Sequence, residues 1–438
     1  MRVSKISSYV RFINDVSQRR QPSAIREITG MLPSLSKDCI VLAGGMPNGD
    51  AFPLLSAQFR LRDGSVIDVD EAEMKIGLQY SPTDGYPPLM AKMKEFISRY
   101  HLHGSDAEKS DIKLRHIMTP GSQDALSKLL EATIAPGDFI ISEKHVYTGV
   151  VSAAEPWQPN FLLVDSDGDG MKPEALREAL SSWDPSECRK ADSGVPKILY
   201  TCPSGGNPTG TSLTLARKKE IYGIAQEYNL LIIEDDPYYF LQFSDVLPPS
   251  FLSLDTDGRV VRLDSFSKIL AAGMRLGCLS GPPEIVERIA LHQQVSIMHV
   301  PTLLQIVFLK LLDGWGWDGF NRHVESVKEL YQTRCNLALD ACKKHLSGLA
   351  EWYKPGGGMF LWLKVKNVTD TRSLVMVDGV AKGVLCVPGE PFQPAATRKP
   401  TPYVRVSYSS ASPEMIDEGL RRLAEVIKER HQKNNSVN

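Results

Sequence analysis

Residues 214–239 read Thr-Leu-Ala-Arg-Lys-Lys-Glu-Ile-Tyr-Gly-Ile-Ala-Gln-Glu-Tyr-Asn-Leu-Leu-Ile-Ile-Glu-Asp-Asp-Pro-Tyr-Tyr. From Thr214 to Tyr228 the apolar side chains recur at helical spacing around a polar face, and Thr214 is suited to cap the first turn. Residues 230–234 form a short apolar run that closes on acids, which predicts a strand. A helix feeding such a strand is half of a β-α-β unit. The same rhythm extends outward from about Gly121 to Gly281, where 139–142, 197–201 and 260–264 are further predicted strands bounded by Gly, Pro and Asp. The helix over 214–228 would cross over between two parallel strands, so an α/β fold around a mainly parallel sheet is expected.

Toward the C-terminus the pattern changes. A helical stretch runs from Phe320 to His345, followed by strand-like 359–365, a turn-rich segment to Pro402, a strand over 403–407 and a final helix. This order predicts a smaller α+β domain. Residues 286–328 hold no Gly/Pro-rich linker, so the two domains are expected to share a long helix and to bind ligand in the cleft between them. The polar tail, 431–438, is expected to fray.

Composition excludes several classes. A chain of 438 residues exceeds one small core and suggests two or three packed units. Its 42% hydrophobic and 23% charged residues are those of a folded globular protein. Lys and Arg number 50 against 52 Asp and Glu, a net charge of −2, which provides no field for holding nucleic acid. The most apolar stretch, 303–312, is broken by Gln305 and Lys310 and is too short to cross a membrane. Seven cysteines at 39, 188, 202, 278, 335, 342 and 386 are dispersed without a C-x-x-C pair. They match neither a disulfide framework nor a zinc site; reduced thiols, an intracellular setting and no metal are expected. Early Arg2, Lys5, Arg11, Arg19 and Arg20 against Asp15 suit a transit peptide and an ordinary helix start equally, leaving cytoplasm and mitochondrial matrix both open.

Four short segments carry candidate chemistry. In Asp264-Ser265-Phe266-Ser267-Lys268 a lysine follows a predicted strand, with Arg275 seven residues on. Most lysines are solvated surface charges; one held in a cleft beside another cation loses its proton and can form a Schiff base. Asp235 and Tyr238 follow the strand at 230–234, at the end where α/β sheets bind ligands. They suit either a solvated strand end or an acid paired with a protonated ring nitrogen and a phenol donating to a phenolate. Ser204-Gly205-Gly206-Asn207-Pro208-Thr209-Gly210 reads alone as a tight turn. Gly121-Ser122-Gln123 opens a helical stretch, either as a serine cap or as a phosphate site.

Taken in order, Gly-Ser-Gln, Asn-Pro-x-Gly, Asp-x-x-Tyr, Ser-x-Ser-Lys and then Arg resemble the fold-type I pyridoxal-phosphate aminotransferases. Leu42-Ala43-Gly44-Gly45-Met46-Pro47-Asn48, Leu78-Gln79-Tyr80-Ser81-Pro82 and Tyr403-Val404-Arg405-Val406-Ser407-Tyr408 extend the likeness over nearly the whole chain. Residues 234–243 and 264–269 bring it nearest to the kynurenine/α-aminoadipate branch of that family. The resemblance implies a large cofactor-binding domain over 51–325 with a seven-stranded sheet between helices. It also implies a small C-terminal domain over 326–438 and an N-terminal segment, 1–50, that adds to the small domain and covers the site.

The resemblance also implies roles for individual residues. Lys268 would bind pyridoxal 5′-phosphate as a Schiff base and, once displaced by substrate, shuttle the substrate proton. Asp235 would keep the ring nitrogen protonated, Asn207 and Tyr238 would bond the 3′ oxygen, and Tyr147 would stack on the ring. Ser122, Gln123, Ser265, Ser267 and Arg275 would hold the phosphate, with Tyr80 reaching over from the second subunit of a homodimer. Arg405 would grip the substrate α-carboxylate. Arg26 would contact acidic side chains, and Gly45 and Phe360 would line the pocket.

The implied activity is transamination between an L-amino acid and a 2-oxo acid, in two half-reactions through pyridoxamine phosphate. Expected donors are α-aminoadipate, kynurenine, glutamate and aromatic or methionine-like amino acids; 2-oxoglutarate is the expected acceptor. Two other readings remain: a lyase or decarboxylase on the same fold, and a non-catalytic cofactor-binding sensor. The second would need a DNA-binding domain, for which the segment before Ile40 is short. Gly356-Gly357-Gly358 and Ser204-Gly205-Gly206 depart from the family pattern, the former being expected to loosen or reshape the pocket beside Phe360.

Overall fold

The computed structural model describes residues 5–24, 36, 38–40, 42–43, 45–190 and 193–437. The chain divides into two compact units, Met1–Ala135 with Pro249–Arg322, and Pro136–Pro248 with His323–Asn438.

In the first unit Gly277–Gly281 lies between Arg115–Thr119 and Val260–Ser265 and runs antiparallel to both. Leu279 sits opposite Leu263 on one side and Ile117 on the other, and all three are fully buried. Strand side chains alternate between faces, so the neighbouring row is Arg262 and Asp264, whose buried pair is closed at 2.8 Å. Gly277 is required by close approach, because a Cβ there would meet the Gly121 backbone at 2.9 Å.

In the second unit four strands run parallel in the order Leu231–Asp235, Ile198–Thr201, Phe139–Glu143, Asn160–Val164. Every residue of Leu231–Asp235 and Ile198–Thr201 is buried, as strands covered on both faces require. The crossover helix is Leu215–Glu227, and the Thr214 side chain caps it by accepting from the Arg217 N–H at 3.3 Å. Seven strands of mixed direction are thus present, three in the first unit and four in the second, as an α/β fold has. Those at 115–119, 160–164 and 277–281 were not foreseen. Arg115–Thr119 carries Arg and His among its apolar residues, and Gly277–Gly281 is small and polar in part.

The second unit also holds an antiparallel sheet in the order Ala350–Trp352, Phe360–Val365, Tyr403–Ser407, Val387–Pro388. Its core joins Leu361, Leu363 and Val404 of these strands to Leu346, Leu420 and Ile427 of helices. Helix Thr302–Leu346 passes from one unit to the other at residue 322, and its helical dihedrals break at Gly316 (φ 59°, ψ 179°). The final helix, Pro413–Val437, runs through the tail expected to fray. No Gly or Pro interrupts it after Gly419, and Lys, Arg, Glu and Gln are good helix formers. Among the described residues no helix is long and apolar enough to cross a membrane.

Candidate active site

The first unit assembles an anion cradle beside a lysine. Strand Val260–Ser265 ends at Ser265, and the following turn carries Ser267 and Lys268, the Ser267 N–H donating to Ser265 Oγ at 3.3 Å. Arg275, in a left-handed conformation (φ 53°), donates through Nη1 to Ser267 Oγ at 3.4 Å and through Nη2 to the Pro120 carbonyl at 2.8 Å. Gly121 (φ 83°) makes room for that guanidinium, since a Cβ there would lie 2.5 Å from Arg275 Nη2.

Helix Ser122–Thr133 starts at this point with no side-chain cap, so Ser122 and Gln123 open a turn whose N–H groups can receive an anion. Burial of Lys268 lowers its ammonium pKa, and neighbouring Arg275 lowers it further. Hydroxyls, guanidinium and helix N-terminus suit a phosphate. The amine with weakened proton affinity suits a carbonyl carbon. These residues therefore fit pyridoxal phosphate, with Gly121 leaving the cradle open where a side chain would fill it. Tyr80 is exposed, with its ring edge-on to His299 at 6.2 Å. Gly45 is exposed with nothing within 4 Å of a Cβ, and Arg26 lies outside the described residues.

The second unit assembles an acid, phenols and a guanidinium. Asp235 closes the strand Leu231–Asp235, is 4% exposed, and accepts at Oδ2 from the Tyr200 hydroxyl at 2.8 Å. Tyr238 is buried edge-on to Phe360 at 6.1 Å, and its phenol is pushed far up by burial, then by Cys202 and Asp235. Arg405 donates through Nη1 to Asn207 Oδ1 at 2.8 Å, next to the cis Asn207–Pro208 bond.

The guanidinium of Arg405 also lies 4.3 Å from the Phe360 ring and 5.1 Å from the Phe392 ring. Burial lowers the pKa of Arg405, opposed by Tyr238 and Tyr147. Its Nε–H is buried without an acceptor among the described residues, a donor suited to a carboxylate. Tyr147 stands at the head of helix Thr148–Ala154.

The glycine-rich stretches tighten this cluster instead of loosening it. Gly358 N–H donates to the Leu241 carbonyl at 3.0 Å, and Tyr408 donates to the Gly358 carbonyl at 2.9 Å. A Cβ on Gly205 would stand 2.4 Å from Gly358 N, and one on Gly357 would stand 2.6 Å from the Leu241 carbonyl. The backbones pass too closely here for side chains, which is not the loosening expected of Gly356-Gly357-Gly358 as one of two outcomes. Tyr200 and Phe392 were missed. Tyr200 was hidden in an apolar strand, although its place opposite Ile233, two residues before Asp235, puts it on the Asp235 face. Phe392 lies in the turn-rich segment, where spacing carries no signal.

Residues 37–423 match the model of the aminotransferase class I and II family. The chain is 43% identical over 426 residues to the mitochondrial kynurenine/alpha-aminoadipate aminotransferase of Bos taurus, covering 96% of this chain and 99% of that one. Among solved structures, aminotransferase Aro8 from Candida albicans matches with a TM-score of 0.83 and 26% identity over 97% of this chain and 99% of its own. Kynurenine aminotransferase from Pyrococcus horikoshii, in complex with PMP, KYN as substrates and KYA as products, matches with a TM-score of 0.73 and 29% identity, covering 97% and 98%.

Proposed function

We propose, since the chain belongs to the class I and II aminotransferases, that it moves an amino group from L-α-aminoadipate, kynurenine or glutamate to a 2-oxo acid such as 2-oxoglutarate. Aromatic and methionine-like amino acids are further donors in this reading. It is a pyridoxal-phosphate-dependent aminotransferase. When bound, the cofactor supplies a carbonyl that exchanges for the amino group and a ring that withdraws electrons from the substrate α-carbon.

The residues divide that work. Lys268, its amine biased toward the neutral form, would hold the cofactor covalently and, once the substrate amine has displaced it, its freed amine would carry the proton that leaves the substrate α-carbon. Asp235 holds the proton on the ring nitrogen. Because Asn207 Oδ1 is taken by Arg405, its amide N–H remains for the ring 3′ oxygen, where the protonated phenol of Tyr238 also donates. Tyr147 stacks on the ring. Ser122, Gln123, Ser265, Ser267 and Arg275 hold the phosphate, and Tyr80 reaches it from the partner subunit of a homodimer. Arg405, steadied by Asn207 and Phe360, takes the α-carboxylate; Gly45 and Arg26 line the side-chain end. Residues 51–325 serve as the cofactor-binding domain and 326–438 as the small domain, in cytoplasm or mitochondrial matrix.

The observation that carries this reading is the Arg405 guanidinium, half-buried, oriented by Asn207 and with an Nε–H that has no acceptor among the described residues, in a chain 43% identical to an aminoadipate and kynurenine enzyme. Its test is the visible spectrum of the purified holoenzyme. Adding L-α-aminoadipate is expected to bleach the yellow band, and 2-oxoglutarate to restore it. Bleaching by aromatic amino acids but not by L-α-aminoadipate or glutamate would overturn those two as donors, and turnover without an oxo acid would overturn transamination.

A further inference from the structure

Tyr200 and Asp235 lie on neighbouring parallel strands, with Tyr200 opposite Ile233, so both side chains project from the same sheet face. They are 1% and 4% exposed, and the hydroxyl of Tyr200 donates to Asp235 Oδ2 at 2.8 Å. We propose that Tyr200 is a positioning residue of the transamination site: it fixes the Asp235 carboxylate and keeps it ionised, so that Asp235 can hold the proton on the cofactor ring nitrogen. This rests on the role given to Asp235 above.

The physics runs through one hydrogen bond. Burial disfavours a carboxylate and would raise its pKa, whereas a donor aimed at the charged form lowers it. Tyr200 is a reliable donor, because burial and then the Asp235 charge push its own pKa far above the physiological range. Cys202 stays a thiol through burial, and Tyr238 stays a phenol for the same reason. Tyr147 acts on Tyr200, and Arg405 acts on Tyr238, through Coulombic interaction. Glu143, which acts on Cys202, is pushed up to about 7 by burial and changes charge near neutrality. A comparison of variants across the same pH range subtracts its effect.

The experiment uses the holoenzyme and Tyr200→Phe, which keeps the ring and removes the hydroxyl. The readout is the pH titration of the visible band of the lysine-linked cofactor. Weakening the ring-nitrogen proton makes the linkage nitrogen more basic, so the midpoint is expected to rise by about one pH unit. The dissociation constant for pyridoxamine phosphate is expected to rise roughly tenfold. Tyr200→3-fluorotyrosine, nearly isosteric and a stronger donor, is expected to move the midpoint downward and serves if the phenylalanine variant does not fold.

Asp235→Asn separates the two layers of the reading. It is expected to shift the titration further than Tyr200→Phe, and adding Tyr200→Phe to it is expected to change nothing more. A shift in Asp235→Asn without one in either Tyr200 variant overturns the proposal and leaves the Asp235 role standing, even if Tyr200→Phe lowers thermal stability. No shift in any of them overturns the Asp235 role together with the proposal.

Discussion

Lys268 shows how a residue's chemistry follows from its surroundings. Partly removed from water and set beside Arg275, its ammonium costs more than at the surface, so the neutral amine is populated at lower pH. Lys268→Ala is expected to remove the visible lysine-linked band and cut turnover on the order of 10³-fold or more; retained activity in a steady-state assay would refute the assignment. Arg405→Ala is expected to lower kcat/KM on the order of 10²-fold for every amino acid, because all share the carboxylate. Arg26→Ala should penalise only dicarboxylic substrates, which a comparison of aminoadipate with a monocarboxylic amino acid would check. Glu143 gives a pH dependence with a definite sign. Burial raises its carboxyl to about 7 against an opposing bond from Met171, so the native state binds a proton that the unfolded chain releases at lower pH. Its contribution to stability is full in acid and is lost as pH rises through about 7. Glu143→Gln should therefore gain stability relative to the parent as pH rises; denaturant titrations giving a constant difference would contradict this.

At the scale of elements, the strand ends and the glycine turns place these residues. Gly205 (φ 54°) passes Gly358 so closely that a Cβ would lie 2.4 Å from the Gly358 nitrogen. Gly205→Ala is expected to destabilise the second unit by about 2 kcal/mol or more, through both dihedral strain and the clash. Gly45→Ala, with open space around the new methyl, should change stability by less than about 0.5 kcal/mol. Melting curves of the two variants distinguish these outcomes. Much at this scale was legible in the chain. The helix expected over 214–228 is Leu215–Glu227, and the strand expected over 403–407 is Tyr403–Ser407. Periodicity and capping are local, and so is the physics behind them. The strand Gly277–Gly281 was not legible, because it is held by flanking strands more than by its own composition.

For the whole molecule, the proposed homodimer makes a sharp prediction. Lys268→Ala and Tyr80→Ala should each be nearly inactive alone. When the two are unfolded together and refolded as mixed dimers, about a quarter of the parental sites should reappear, since each mixed dimer has one site with both residues intact. Absence of complementation would remove Tyr80 from the partner's site. By itself, the sequence determined the α/β class, the cofactor motifs and their order, because hydrophobic period, turn residues and strand-end chemistry are written within a few neighbouring positions. Tertiary structure alone decided that Tyr200 bonds Asp235, that Phe392 and Phe360 flank Arg405, and that Gly357 and Gly358 carry no side chain for lack of room. These contacts join residues from 13 to 153 positions apart, and packing, unlike periodicity, leaves no local trace in the chain.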